Sequence, residues 1–110
     1  MEPIVPAEVE RRLRDLAGQP VHLHLETTVG AYSENGFGVF LRNAQIRFHR
    51  AALRGEGPFR AGLELDGGWL YAEGLTEWEV DEAGRLLLAG RDGEERLTVA
   101  LELSRAPFPV

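Results

Sequence analysis

The chain has 110 residues, enough for one compact domain and too few for two, and its 44% apolar and 27% charged residues are those of a globular chain and not a disordered one. A net charge of −6 argues against nucleic-acid binding, because a phosphate backbone would be repelled. Cysteine is absent and all 12 basic residues are arginine, which excludes disulfides, thiolate chemistry and lysine Schiff bases but leaves arginine clusters able to hold an anion.

Met1 to Pro6 becomes charged too soon for a signal peptide, and nothing approaches the roughly 20 apolar residues of a membrane span. A cytoplasmic protein without membrane contact is expected. Pro6 to Ala17 reads as the helix: Val9, Leu13 and Leu16 share one face of a 3.6-residue period. Glu8–Arg12 and Glu10–Arg14 are spaced as i, i+4 pairs, and Gly18 and Pro20 stop the helix.

After Pro20 the period becomes two. Val21, Leu23 and Leu25 alternate with His22, His24 and Glu26, as in a strand with one buried face. Gly30 to Gly38 reads as a loop, and Phe37, Val39 and Leu41 resume the alternation, followed by Ile46 and Phe48. Near Arg50 the parity slips, which suggests a bulge or bend. Phe59 to Leu65, Trp69 to Val80 with an interruption at Gly74, Leu86 to Leu88 and Leu97 to Leu103 complete the pattern, separated by Asp-Gly-type turns. The connections are too short for parallel crossovers. The expected architecture is mainly β (α+β): one N-terminal helix on a strongly bent antiparallel sheet or small barrel of about seven or eight strands. It forms a single domain, 1–110, with helix over 6–17, antiparallel strands over 20–104 and a proline-containing tail over 105–110.

Three groups of residues could carry chemistry. His22, His24 and Glu26 share a strand face and could bind zinc or iron; the plainer alternative is the solvated face of an edge strand. Glu73 falls on the face of Trp69 and Tyr71, as a functional acid or as one half of an Arg–Glu pair, unless Gly74 introduces a bulge that turns it to solvent. Arg42, Arg47, Arg50, Arg54 and Arg60 gather basic charge in an acidic chain, as a carboxylate or phosphate site or as cross-strand partners of glutamates. Ser33 lacks a nucleophile-elbow context.

From Val21 onward the string resembles the YojF-like family of bacterial proteins. The resemblance runs through His24-Leu25-Glu26-Thr27-Thr28, Arg42-Asn43-Ala44 and Gly57-Pro58-Phe59-Arg60. It is densest over Gly68-Trp69-Leu70-Tyr71-Ala72-Glu73-Gly74-Leu75-Thr76-Glu77 and closes on Pro107-Phe108. His22 departs from it, standing where the family is expected to have an aromatic residue, and the Ala31 to Val39 loop is shorter than expected. The resemblance implies a domain of unknown function, linked by gene neighbourhood to a deacetylase of the kind used in making bacillithiol, a low-molecular-weight thiol.

The expected function is therefore that of a non-catalytic accessory or small-ligand-binding protein without a cofactor, with His24, Glu26, Arg42, Trp69, Tyr71 and Glu73 as binding residues. The alternative is a small metal-dependent enzyme using the His24/Glu26 face. A homodimer is expected, burying either a sheet edge or the Phe108 tail, although Phe108 could equally fold back on its own subunit. A bacillithiol-type deacetylase is the expected partner.

Overall fold

The computed structural model describes residues 1–29 and 37–109, with Thr28, Val29 and Phe37 described through their backbone alone. Most of the expected Gly30–Gly38 loop, Ser33 included, and Val110 lie outside the described residues. In chain order the elements are β1 (Glu2–Pro3), α1 (Pro6–Leu16), β2 (Val21–Val29), β3 (Phe37–Ile46), β4 (Arg50–Arg54), β5 (Phe59–Leu65), β6 (Gly68–Leu75), β7 (Glu77–Val80), β8 (Leu86–Arg91) and β9 (Leu97–Ser104). They build a six-stranded sheet in the order β1-β7-β8-β9-β2-β3 and a three-stranded sheet β4-β5-β6. All pairings are antiparallel.

Among the described residues the fold is thus mainly β with one helix, as the alternation predicts, but nine strands in two sheets replace the bent sheet or small barrel of about seven or eight. The reason is that the chain changes sheets twice. The parity slip near Arg50 is the first crossing: the fully buried Phe48 sits between β3 and β4, and its carbonyl accepts the Gly18 N–H at 2.8 Å. The second lies at Thr76, whose N–H donates to Ala89 O at 2.8 Å. Trp69 to Val80 is therefore two strands in two sheets.

Pro6 starts α1 where its missing N–H has no intrahelical partner to lose. Val9, Leu13 and Leu16 are buried, and the helix packs on β4. It ends at Leu16, with Ala17 as an extended cap. Glu10 pairs with Arg14 at 2.8 Å, as its spacing predicts, but Glu8 pairs with Arg11 at 2.6 Å and not with Arg12. Arg12 faces β7 instead, lining a hollow with Trp78.

The inner faces of the two sheets share one core. In the larger sheet, register aligns Trp78, Leu88, Leu101, Leu25 and Leu41 in one row across five strands. In the smaller sheet, Ala51 pairs with Leu63 and Leu63 with Leu70; Leu53 pairs with Ala61 and Ala61 with Ala72. β6 lies against both β8 and β9 of the larger sheet, tightly enough at Gly74 and Gly90 to exclude a side chain. A Cβ on Gly90 would overlap the Gly74 carbonyl and the Val99 side chain.

Two turns of the larger sheet repeat one device. Asp81 accepts the N–H groups of Ala83 and Arg85 at 3.0 and 2.9 Å and the Arg85 Nε at 2.6 Å. Asp92 accepts those of Glu94 and Arg96 at 2.8 and 3.0 Å and the Arg96 Nε at 2.9 Å. Burial pushes the Asp81 carboxyl up, but the Arg85 N–H and guanidinium outweigh it and hold the group below the usual aspartate range. The Arg96 and Glu94 N–H groups lower Asp92.

Two outcomes are expected. Gly90→Ala destabilises the protein by on the order of 3 kcal/mol, because the new methyl meets backbone and not a flexible side chain; a urea midpoint equal to that of the unaltered chain would disprove the close approach. A carboxylate with a lowered folded pKa contributes stability that is present above its unfolded pKa, about 4, and is lost as pH falls through the folded value. The melting temperature should therefore drop on acidification below that point, and less steeply in an Asp81→Asn, Asp92→Asn double variant that is already weaker at neutral pH.

Candidate functional site

The expected binding residues fall on two different surfaces. His22, His24 and Glu26 do share the outer face of β2, but β2 is an interior strand between β9 and β3, not an edge strand. Each has its own surroundings. The His24 ring stacks on Phe108 at 3.7 Å between centroids, and its Nδ1 lies 3.8 Å from Glu102. Glu26 lies 3.9 Å from Arg42, and His22 Nδ1 is buried without a hydrogen-bond partner. Among the described residues no group of three or more His, Asp or Glu is gathered to hold a metal.

Phe108 reaches this face because Asn43 clamps its backbone. Asn43 Oδ1 accepts the Phe108 N–H at 2.9 Å, and Asn43 Nδ2 donates to the Phe108 carbonyl at 3.3 Å. Asn43 adopts a φ of 57° beside the bulge of the β2–β3 pairing, a conformation asparagine tolerates better than most residues. The tail thus folds back on its own subunit, with Phe108 only 6% exposed. Arg85, held by Asp81, lies 5.5 Å from its ring.

The second surface is the outer face of the three-stranded sheet. Trp69, Tyr71 and Glu73 alternate to one side of β6, and all three are exposed. Opposite them on β5 stand Glu64, Gly62 and Arg60, and beyond these on β4 stand Arg50, Ala52 and Arg54. The bulge considered as the alternative at Gly74 exists: two residues, Glu73 and Gly74, oppose Arg60, and Gly74 takes a φ of 77°. It falls after Glu73, so Glu73 stays on the aromatic face, and that face is solvent. The carboxylate is one half of an Arg–Glu pair, with Arg60 at 3.0 Å.

The two rings lie 3° from parallel with centroids 5.8 Å apart. Arg50 lies over Trp69 at 5.8 Å, and Arg60 over Tyr71 at 4.7 Å. The result is a ladder, Arg50–Trp69–Tyr71–Arg60, of two cation–π contacts joined by an aromatic pair. Each arginine is fixed from behind by a glutamate. Arg50 donates from Nε and Nη2 to Glu64 at 2.8 and 2.9 Å, and this bidentate bond holds the Glu64 carboxyl below its usual range. The rings lean over Gly62, where a Cβ would stand 3.1 Å from Tyr71 Cε1 and 3.5 Å from Trp69 Cε3. Gly62 was not legible as a site residue: its role depends on a cross-strand neighbour that sequence spacing does not supply.

At one end of the ladder Arg54 pairs directly with Arg60 across the β4–β5 register, an arrangement of like charges that disfavours the pairing. Glu10, 3.7 Å from Arg54, and Glu73 offset it in part. A hollow of about 290 Å³ opens here between Arg54, Pro58, Arg60 and Glu73. Another, of about 350 Å³, lies between α1 and β7 and is lined by Arg12 and Trp78, but Glu2 and Glu79 share its wall.

A small two-sheet β protein with one open aromatic–arginine face is the class that fold and site define. The chain belongs to the family described as a protein of unknown function, DUF1806, whose match spans residues 3–108. It is 44% identical to the uncharacterized protein YojF of Bacillus subtilis (strain 168) over 116 residues, covering 100% of both chains. It also matches the crystal structure of the Bacillus subtilis YojF protein with a TM-score of 0.88 at 42% identity, covering 99% of this chain and 97% of that one. The YojF-like resemblance and the mainly β fold are both confirmed by these matches.

The ladder should add little to stability, since an exposed cation–π contact contributes only about 0.5–1 kcal/mol. Trp69→Ala should therefore lower the unfolding free energy by about 1 kcal/mol while removing the near-ultraviolet dichroism of the coupled rings. A loss several times larger would mean that Trp69 is structural.

Proposed function

We propose that this protein is a non-catalytic accessory protein of the cytoplasm that docks a partner enzyme through the Arg50–Trp69–Tyr71–Arg60 face. One observation carries the reading: the ladder leaves two large rings in solvent, at 43% and 51% exposure, in a chain that exposes few of its large apolar side chains among the described residues. Tryptophan, tyrosine and arginine are the residue types most enriched where binding energy concentrates in protein interfaces. Here their rotamers are ordered in advance by Glu64, Glu73 and Gly62, which lowers the entropy lost on association. Pairing with Arg50 holds the Glu64 carboxyl below its usual range, the state of a structural partner more than of a general acid. The family's gene neighbourhood makes a bacillithiol-type deacetylase the partner to test.

A second reading has its own support. The Arg54–Arg60 rung and the hollow beside it suit the carboxylate or phosphate of a small ligand, which would relieve the like-charge juxtaposition.

Calorimetric titration of the purified deacetylase with this chain tests the proposal. Binding is expected, weakened at least tenfold by Trp69→Ala, with the variant's circular dichroism unchanged. No heat with the unaltered chain, or equal affinity for both, would overturn docking by this face. Stoichiometric zinc or iron that disappears in His24→Ala would replace the accessory reading with metal-dependent catalysis.

A further inference from the structure

Apart from Met1 and Val5 near the N-terminus, the large apolar side chains left exposed among the described residues occur in two places. One is the Trp69–Tyr71 ladder. The other is a run of three consecutive residues, Val39, Phe40 and Leu41, at 65%, 52% and 43% exposure. This run lies on β3, the outermost strand of the six-stranded sheet. We propose that β3 pairs antiparallel with β3 of a second copy of this chain, joining two six-stranded sheets into one continuous sheet.

Three features favour this occupant. Among the described residues β3 extends over ten residues and pairs on one side only, whereas the opposite edge is the two-residue β1. The bulge at Asn43 lies beyond Leu41, and an edge segment whose outward N–H and carbonyl groups pair with no strand is a template for another one. Second, the row Trp78–Leu88–Leu101–Leu25–Leu41 runs out of the core to this edge and stops there, with Leu41 half in water. Phe40 does the same on the opposite face, beyond Glu26. A partner for Val39 to Leu41 must therefore be apolar on both faces, as this run itself is. Third, the run Gly38 to Leu41 carries no charge in a chain of net charge −6. Two copies repel one another over most of their surface, yet across this segment no like charges oppose. A two-fold axis at Phe40 would set Phe40 against Phe40 and Val39 against Leu41, the self-complementary arrangement of an isologous interface.

The clamped tail makes the edge the better source of a dimer, since Phe108 is already buried within its own subunit.

Sedimentation or light scattering at micromolar concentration reads the result directly. The unaltered chain should have twice the 12.2 kDa chain mass. A Val39→Lys, Leu41→Lys double variant should be monomeric with an unchanged far-ultraviolet spectrum, and Trp69→Ala should remain dimeric. Should the double variant fail to fold, hydrogen exchange on the unaltered chain decides: the outward amides of Gly38 to Leu41 should gain protection as concentration rises. A monomeric mass for the unaltered chain, a dimer that survives both lysines, or amides unprotected at every concentration would each overturn the proposal.

Discussion

The structure depends on the close approach of β6 to β8. One short chain supplies two sheets, and a shared core forms only if they press together without large side chains between them where they cross. Gly90 meets that requirement by letting the Gly74 carbonyl rest on its α-carbon. Ala61 and Ala72, paired and buried on the inner face of the smaller sheet, keep the same region thin. Around it the leucines of both inner faces, Phe48 and the helix stripe fill the remaining space. Interiors this dense tolerate little added volume at backbone contacts.

Committing both inner faces to one core leaves each sheet an outer face to dispose of. The chain treats the two differently. Over the six-stranded sheet the tail returns, and Asn43 fixes Phe108 on His24. Over the three-stranded sheet, Trp69 and Tyr71 are held between arginines and remain in water. The first arrangement conceals an aromatic ring, and the second displays two.

Much of this was legible in the sequence wherever the contact is local. The helix stripe of Val9, Leu13 and Leu16, the alternating strands and the shared face of Trp69, Tyr71 and Glu73 all follow from period alone. What could not be read is where the chain changes sheets. At Phe48 and Thr76 it crosses without a glycine–proline turn, so alternation continued or slipped with nothing to mark a change of partner. For the same reason β2 passed for an edge strand, since neighbours in a sheet are set by long-range pairing. Alternation also predicted burial for Val39 and Leu41, and they do point to the core side of the sheet. The sheet simply extends past its core at that edge. The family resemblance reached further than period could: the segment it marked most densely, Gly68 to Glu77, contains the ladder's two rings and the bulge that ends it.

Stability alone does not account for the ladder. A glycine within a strand costs roughly 0.5–1 kcal/mol relative to alanine, and Gly62 is the glycine that lets both rings lean onto the sheet. Two exposed cation–π contacts return about 1–2 kcal/mol, so the local balance is favourable by no more than about 1 kcal/mol. The direct Arg54–Arg60 pairing reduces it. Alanine at position 62 with polar residues at 69 and 71 would give an equally stable sheet and a more soluble one. What the present residues supply, and those would not, is a rigid surface of two rings and two guanidinium groups aimed outward, which is the feature the proposed docking requires.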